Sequence, residues 1–494
     1  MKRKPMRPQN LLFIFSDQHD PQFMGAAGHP AVRTPNLDRL AAQGTRFTNA
    51  TTPCPVCVPA RASLATGRWV HDNRCWDNGQ PYDGSMPSWG HRLIAEGHDV
   101  TAIGKLHYRS DEDDNGFSEK IDVMNVVGGI GDRLSWIRRQ RFERGGVKAM
   151  VEKAGRGESS YTEYDRRVAG KARDWLRGRA ATPAGKPWVL FVGFIMPHLP
   201  LIAPPEFFDL YAGAELPSPR LYGADQRPKH PWIDGLTFEI PYDKYYDEER
   251  RRTAIVAYHA MVTFLDHNIG LLLKTLEDSG LGGSTRVIYT SDHGEMLGNH
   301  GIWGKSCMYQ EAVGVPLIVA GDGVPKGAVA TTEASLVDCY PTILEAVGVR
   351  ASEEEKDTLP GRSLFALARR PDPHRFGFSE YHAGAAVTGA FMVRRGRWKY
   401  VHYVGLAPQL FDLEADPFEA NDLGADPAHA EIRETMAMAL RMIVDPERAN
   451  AQAFADQDAK VTEFGGVDAV MEFGDFGHTP APGETPHFAR TDKA

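Results

Sequence analysis

The chain reads as an α/β protein built on a largely parallel sheet with helices on both faces, followed by a smaller antiparallel unit. Three observations carry that reading. Largely apolar runs of strand length recur at 10–15, 188–194, 286–290 and 316–319, as expected of strands buried on both sides. Helical patterns lie between them, and such alternation implies a parallel sheet covered by helices. After about Arg370 the texture changes to short, alternating, aromatic segments.

The first strand, 10–17, ends in Ser16-Asp17, which puts a carboxylate and the adjacent Gln18 at the edge where ligands collect in an open α/β sheet. A helix is expected over 34–43 and another after Pro59, whose fixed φ suits a first turn. Further helical patterns cover 164–177 and 248–279. The 188–194 strand ends in Met196-Pro197-His198 and the 286–290 strand in Ser291-Asp292-His293, so three polar clusters sit beyond three strand ends. Segments 391–394, 398–403 and 409–413 then read as antiparallel strands, with a helix over 428–443. The division expected is an α/β domain over 1–370, a small α+β unit over 371–460 and a tail over 461–494. That tail is too apolar for a solvated linker and too broken for a helix.

Composition bounds the function. The chain has 494 residues, 42% hydrophobic and 24% charged, the profile of a globular protein with a large core. A net charge of -9 without a dense basic tract argues against nucleic acid as a partner. No apolar stretch is long enough to span a bilayer, and the run 11–15 after the basic 1–7 is too short for an export signal. Five cysteines, an odd number, fit a reducing cytoplasm better than a disulfide framework.

The densest chemistry lies at Cys57-Val58-Pro59-Ala60-Arg61, followed by Thr66-Gly67-Arg68. Cys54 and Cys57 also form a C-x-x-C, which can be a redox pair or half a zinc site. No second C-x-x-C follows, and Cys75, Cys307 and Cys339 are scattered. A buried structural cysteine is the other alternative. As C-x-P-x-R, however, the block 57–68 closely resembles the signature of the formylglycine-dependent sulfatases of the alkaline phosphatase superfamily. The likeness extends over about 10–423. Asp17, Thr34-Pro35-Asn36-Leu37-Asp38-Arg39-Leu40, Gly104-Lys105-Leu106-His107, Pro197-His198, Asp266 and Ser291-Asp292-His293-Gly294-Glu295 occur in that family's order.

The resemblance implies an alkaline phosphatase-like fold and a sulfatase acting on a small aryl or alkyl sulfate monoester. In such enzymes a maturation enzyme oxidises the cysteine to formylglycine. One hydroxyl of its hydrated aldehyde attacks the ester, and the second lets the covalent intermediate collapse. Carried onto this chain, Cys57 is the nucleophile precursor. Asp17, Gln18, Cys57, Asp292 and His293 hold one divalent metal. Lys105 and Lys305 neutralise the sulfate, His107 takes a proton from the second hydroxyl, and His198 assists the leaving group.

Arg61, four residues after Cys57, faces the same side of a helix. Many members have two aspartates where this chain has Asp17-Gln18, and Asn where it has His293; a histidine ligand makes Mn2+ plausible beside Ca2+. Asn78 reads as a turn in Trp76-Asp77-Asn78-Gly79, and by resemblance as a group that binds the substrate oxygen. An isolated aspartate reads as a cap or turn residue. His19, His29, His91 and His259 read as core or surface groups, and Trp69, Trp76 and Tyr108 as packing.

The rival reading in the same superfamily is phosphonate monoester or phosphodiester hydrolysis. Lys105 with His107 favours sulfate, whereas Gln18 and His293 pull the other way. From another class, the chain could be a non-catalytic binding protein with unmodified Cys57. Specificity is assigned to the segments 111–138 and 216–245. The tail, with Phe473, Phe476, His478 and Phe488, resembles the extension that in choline sulfatase-like relatives packs on a neighbouring subunit and helps close its active site, which makes a homo-oligomer the expectation.

Overall fold

The computed structural model describes residues 6–182 and 185–491; most of the basic 1–7 segment lies outside them. The main sheet has eight strands: β1 (Asn10–Ser16), β2 (Gly44–Phe47), β3 (Val100–Lys105), β4 (Glu119–Met124), β5 (Val189–Gly193), β6 (Thr285–Ser291), β7 (Leu317–Ala320) and β8 (Ala328–Ala330). Their spatial order is β8-β2-β7-β6-β1-β5-β3-β4. β7 is antiparallel to both its neighbours, β6 and β2, while the other pairings are parallel. The 316–319 run is thus a strand, but it runs against the rest. Between β6 and β7 lie a 3-10 turn, Asn299–Gly301, and the one-turn helix Gln310–Val313, and the chain turns back beside β6 instead of crossing over.

Alternation along β1 supplies both faces of the core. Leu12 and Ile14 join a buried cluster with α1 (Pro35–Gln43), α3 (Ser160–Ala181) and α4 (Glu248–Asp278). Leu11, Phe13 and Phe15 join the opposite cluster with α2 (Cys57–Thr66) and α5 (Cys339–Val347). Asp266 on α4 accepts hydrogen bonds from the backbone N–H groups of Asn36 (3.2 Å) and Leu37 (2.8 Å), so it satisfies the first turn of α1.

The register of β1 on β6 pairs Ser16 with Ser291, which sets Asp17 and Asp292 side by side just beyond the strand ends. β3 is tied to β5 by a close approach: a Cβ at Gly104, where φ is +92°, would stand 2.2 Å from the carbonyl oxygen of Gly193. Neither β3 nor β4 is among the strands expected from the sequence. β4, with its polar Glu-Lys-Ile-Asp start, fell inside the segment assigned to a specificity loop.

The second sheet is a four-stranded antiparallel meander of Gly377–Tyr381, Ala390–Arg395, Trp398–Tyr403 and Gln409–Asp412, with α6 (Ala430–Ile443) packed on it. Its first strand mixes Ser379 and Glu380 with apolar residues, so it showed no alternation. α7 (Pro446–Glu463) and α8 (Val467–Phe473) follow. The expectation of a tail without helix is corrected at α8. Asp445 caps α7 by accepting from Arg448 N at 3.0 Å, with Pro446 opening the first turn. No helix among the described residues is long and apolar enough to cross a membrane.

Candidate active site

The α2 helix is buried along its whole length and begins at Cys57, so Pro59 is its third residue rather than its first. Val56 offers no side-chain cap; Asn78 supplies one from outside, its Oδ1 accepting from Val58 N at 3.0 Å. One turn on, the buried Arg61 guanidinium binds both strand-end carboxylates. Nε donates to Asp292 Oδ2 (2.9 Å), one terminal nitrogen to Asp17 Oδ2 (3.0 Å) and the other to the Lys105 carbonyl (3.1 Å). Lys105 Nζ also lies 2.7 Å from Asp17 Oδ2.

Cations therefore hold the Oδ2 atoms, and the opposite oxygens turn elsewhere. Asp17 Oδ1 lies 3.6 Å from Cys57 Sγ and 3.6 Å from His293 Nε2; Asp292 Oδ1 is also 3.6 Å from that nitrogen. His293 Nδ1–H donates to the Gly294 carbonyl at 3.0 Å, which leaves the Nε2 lone pair facing Cys57 Sγ at 3.2 Å. Ligand atoms of Asp17, Cys57, Asp292 and His293 all lie within 4.8 Å of one another. Two carboxylates, a neutral imidazole and the group at position 57 form a donor set that fits a divalent metal.

Protonation states agree with that arrangement. Burial, which alone would raise the Asp17 carboxyl, is overcome by Lys105, His198 and Arg61, which hold it well below its ordinary value. Burial lowers His293 to about 4, so its ring is neutral at pH 7. Burial and Asp17 push the Cys57 thiol up to about 12. An unmodified Cys57 is thus a protonated thiol, unsuited to redox exchange or nucleophilic attack in this environment.

Gln18 takes φ +67° and bridges two groups: its amide oxygen accepts from Lys305 Nζ at 2.5 Å, and its amide nitrogen donates to Glu295. Its backbone N–H donates to Asp292 Oδ1 at 3.1 Å. Lys305 Nζ further donates to His198 Nε2 at 2.8 Å, while His198 Nδ1–H donates to the Leu199 carbonyl at 2.6 Å. Burial and Lys305 keep His198 well below its usual value. His107, with φ +62°, follows Lys105 off the end of β3.

These residues open on a cavity of about 400 Å³, lined by Cys57, Asn78, Lys105, His107, His198 and Lys305. Both segments assigned to specificity contribute walls, through Val126, Gly131, Asp132 and Ser135 and through Arg227, Leu236, Tyr242 and Lys244. Arg144 binds Asp132 (2.8 Å) and Glu239 (3.1 Å) at that rim. The tail also supplies a wall, Asp475 to Thr479; the expectation placed this arm over a neighbouring subunit's site, and its seat over the site of its own chain was not foreseen. Glu295 is a second omission, since its buried carboxylate accepts from Leu297 N, Gly304 N and Gln18 and so shapes the loop that carries Lys305.

The histidines set aside are accounted for. His19 Nε2 bonds to the Phe23 carbonyl (3.0 Å), His259 Nδ1 to that of Ile255 (2.8 Å), His91 completes the cap at Ser88, and His29 packs on Phe23.

A family model described as Sulfatase matches residues 9–349, and one described as N-sulphoglucosamine sulphohydrolase, C-terminal, matches residues 298–445. Choline-sulfatase of Rhizobium meliloti (strain 1021) is 31% identical over 433 residues, 85% of this chain and 83% of that protein. Arylsulfatase K of Homo sapiens is 27% identical over 477 residues, 91% of this chain and 85% of that protein. The solved structure of phosphonate monoester hydrolase of Agrobacterium radiobacter shares the fold, with a TM-score of 0.70 at 24% identity, covering 90% of this chain and 96% of that one.

Proposed function

The chain belongs to the sulfatase family of the alkaline phosphatase superfamily, and on that premise we propose that it hydrolyses a small sulfate monoester through a formylglycine at position 57. One observation carries the reading: Cys57, in C-x-P-x-R, opens a buried helix, and its side chain both lines the cavity and meets Asp17, Asp292 and His293. Conversion of Cys57 by a formylglycine-generating enzyme replaces an inert thiol with a hydrated aldehyde, whose oxygen takes the place of Sγ.

Asp17, Asp292, His293 and the oxygen at position 57 would hold a divalent cation, Ca2+ or Mn2+, with Gln18 beside them. Bound there, the ion stabilises an ionised oxygen and polarises the ester. Arg61 orients the two carboxylates. Lys105 and Lys305 meet the sulfate oxygens, where fixed donors stabilise charge that grows in the transition state. His198, held by Lys305, serves the leaving oxygen, and Asn78 lines the substrate side. His107 removes the proton of the second hydroxyl; the carbonyl re-forms, the carbon–oxygen bond to sulfate breaks, and sulfate departs.

A cytoplasmic location is supported by five free cysteines, none of them paired. A homo-oligomer is part of the proposal, tested by light scattering. Gln18 and His293 favour a second activity on phosphonate monoesters or phosphodiesters, since both reactions use in-line attack on a tetrahedral centre beside one metal.

Peptide mass spectrometry of active protein should find the thiol-to-aldehyde mass loss at position 57. Fully active protein carrying only unmodified cysteine there would sink the mechanism. Metal-loaded protein should turn over an aryl sulfate or choline sulfate faster than an aryl phosphonate, and the reverse order would make phosphonate hydrolysis the main activity.

A further inference from the structure

The Asp475–Thr479 wall is fastened at both ends. Asp475 exchanges backbone hydrogen bonds with Ala489 (2.8 and 2.6 Å), and its carboxylate accepts from Gly146 N at 2.9 Å and Gly477 N at 2.9 Å. At the other end Tyr161 donates its hydroxyl proton to the Thr479 carbonyl at 2.5 Å. Between these anchors the Thr479 hydroxyl, on a residue only 9% exposed, reaches His107 Nε2 at 2.8 Å. The other ring nitrogen, Nδ1, is buried and has no hydrogen-bond partner among the described residues, while the His107 backbone is fixed by its N–H on the Met124 carbonyl at 2.8 Å.

We propose that Thr479 is a positioning residue for the reaction: it holds the His107 ring by Nε2 so that Nδ1 is the atom that accepts the proton. The proposal rests on the reading of His107 as the base for the second hydroxyl. A threonine hydroxyl suits this task because it can accept from Nε2–H whether Nδ1 is free or protonated. The ring therefore keeps one orientation through the transfer. A base oriented by a third group is the general form of such sites, and here that group comes from the far end of the chain. In the step itself the hydroxyl proton passes to Nδ1, the O–H electron pair forms the carbonyl, and the electrons of the carbon–oxygen bond leave with sulfate.

The test uses full-length, metal-loaded protein with formylglycine verified, 4-nitrophenyl sulfate as probe, and the variants Thr479→Val and Thr479→Ser. Thr479→Val should lower kcat by about 10- to 100-fold, within the range that general-base assistance supplies, without raising KM. Nitrophenol should then appear in a burst of one equivalent per site, with a sulfate adduct on residue 57 in quenched samples. Thr479→Ser should restore steady turnover and abolish the burst. Wild-type kcat in Thr479→Val, or equal losses in both variants with no adduct, would overturn the proposal.

A readout independent of turnover is the tautomer of His107 by nitrogen NMR. It should be fixed as Nε2–H in wild type and Thr479→Ser and mixed in Thr479→Val, and identical spectra in all three would also overturn it. A wild-type protein that turns over neither sulfate nor phosphonate ester would instead sink the reading of function, and the NMR comparison would still decide the role of Thr479.

Discussion

The charges at the ends of β1 and β6 and those around Lys399 are equally buried, yet they have opposite consequences. Lys399 and Glu419 form a fully buried pair at 2.7 Å, and Glu419 also accepts from Gln310 N at 2.6 Å. Burial lowers Lys399, and the neighbouring Glu311 is raised to about 7, first by burial and then by Glu419. Those groups do not line the active-site cavity. At the strand ends, Arg61 and Lys105 occupy one edge of the carboxylates, while the Oδ1 atoms and His293 Nε2 converge on Cys57 Sγ, and Cys57 and Lys105 line that cavity. Buried charge alone therefore does not mark a site. What distinguishes the functional cluster is donor capacity left over after the ion pairs are made, next to space for a ligand.

The sharpest break in this comparison is Cys57→Ser. It should leave the fold intact and end turnover after one equivalent, because a serine ester has no second hydroxyl with which to break down. Rapid-quench assays with intact-protein mass spectrometry check this; sustained turnover would remove position 57 from the mechanism. Next in size, Asp292→Asn should cost about 10- to 100-fold in metal affinity or activity, since even groups that only support a ligand have effects of that order. Metal analysis after dialysis reads it directly, and undiminished metal in an Asp17→Ala, Asp292→Ala double variant would refute the assignment.

The Lys399 pair should behave the other way. Lys399→Met strands a buried carboxylate and should cost about 3–5 kcal/mol in denaturant unfolding, with kcat/KM of the folded protein unchanged. Lys399→Met with Glu419→Gln removes the stranded charge and should recover most of the loss. A fall in kcat/KM at constant folded fraction would show that the two clusters are coupled.

An effect confined to acid pH is expected at Glu380, also fully buried. Burial works against its ionisation, but His71 at 2.8 Å and His382 at 3.0 Å pull the carboxyl down from 4.5 to about 2. Because the folded value lies below the unfolded one, this stabilisation is present above about pH 4.5 and is lost as pH falls toward 2. It amounts to about 3 kcal/mol. Glu380→Gln should flatten that part of the acid unfolding curve, and an unchanged acid limb would contradict the assignment.

Where the chain is regular, the sequence was readable. β1 and β5 are built on unbroken apolar runs and β6 on the shorter Val287-Ile288-Tyr289, and each is followed by residues that the fold brings to the site: Asp17, His198, and Asp292 with His293. β4 and the Gly377–Tyr381 strand were missed because polar residues in them obscure the period of two. Asp445-Pro446 marked the start of α7 and was overlooked, whereas Thr479 carried no local signal at all.

The resemblance to the sulfatases implied the side chains proposed to hold metal and sulfate, while the sequence by itself determined the strand ends and the helix that presents Cys57. Local apolar periodicity and a contiguous motif fix these, and both act within one turn or one strand. Only the tertiary structure decided which oxygen of each carboxylate faces Arg61 and which faces His293. It also decided that β7 runs against its neighbours and that the tail reaches His107 across 372 residues of chain. Such choices depend on packing between distant segments. A contact made by one side chain from an irregular loop leaves no repeat in the sequence from which to read it.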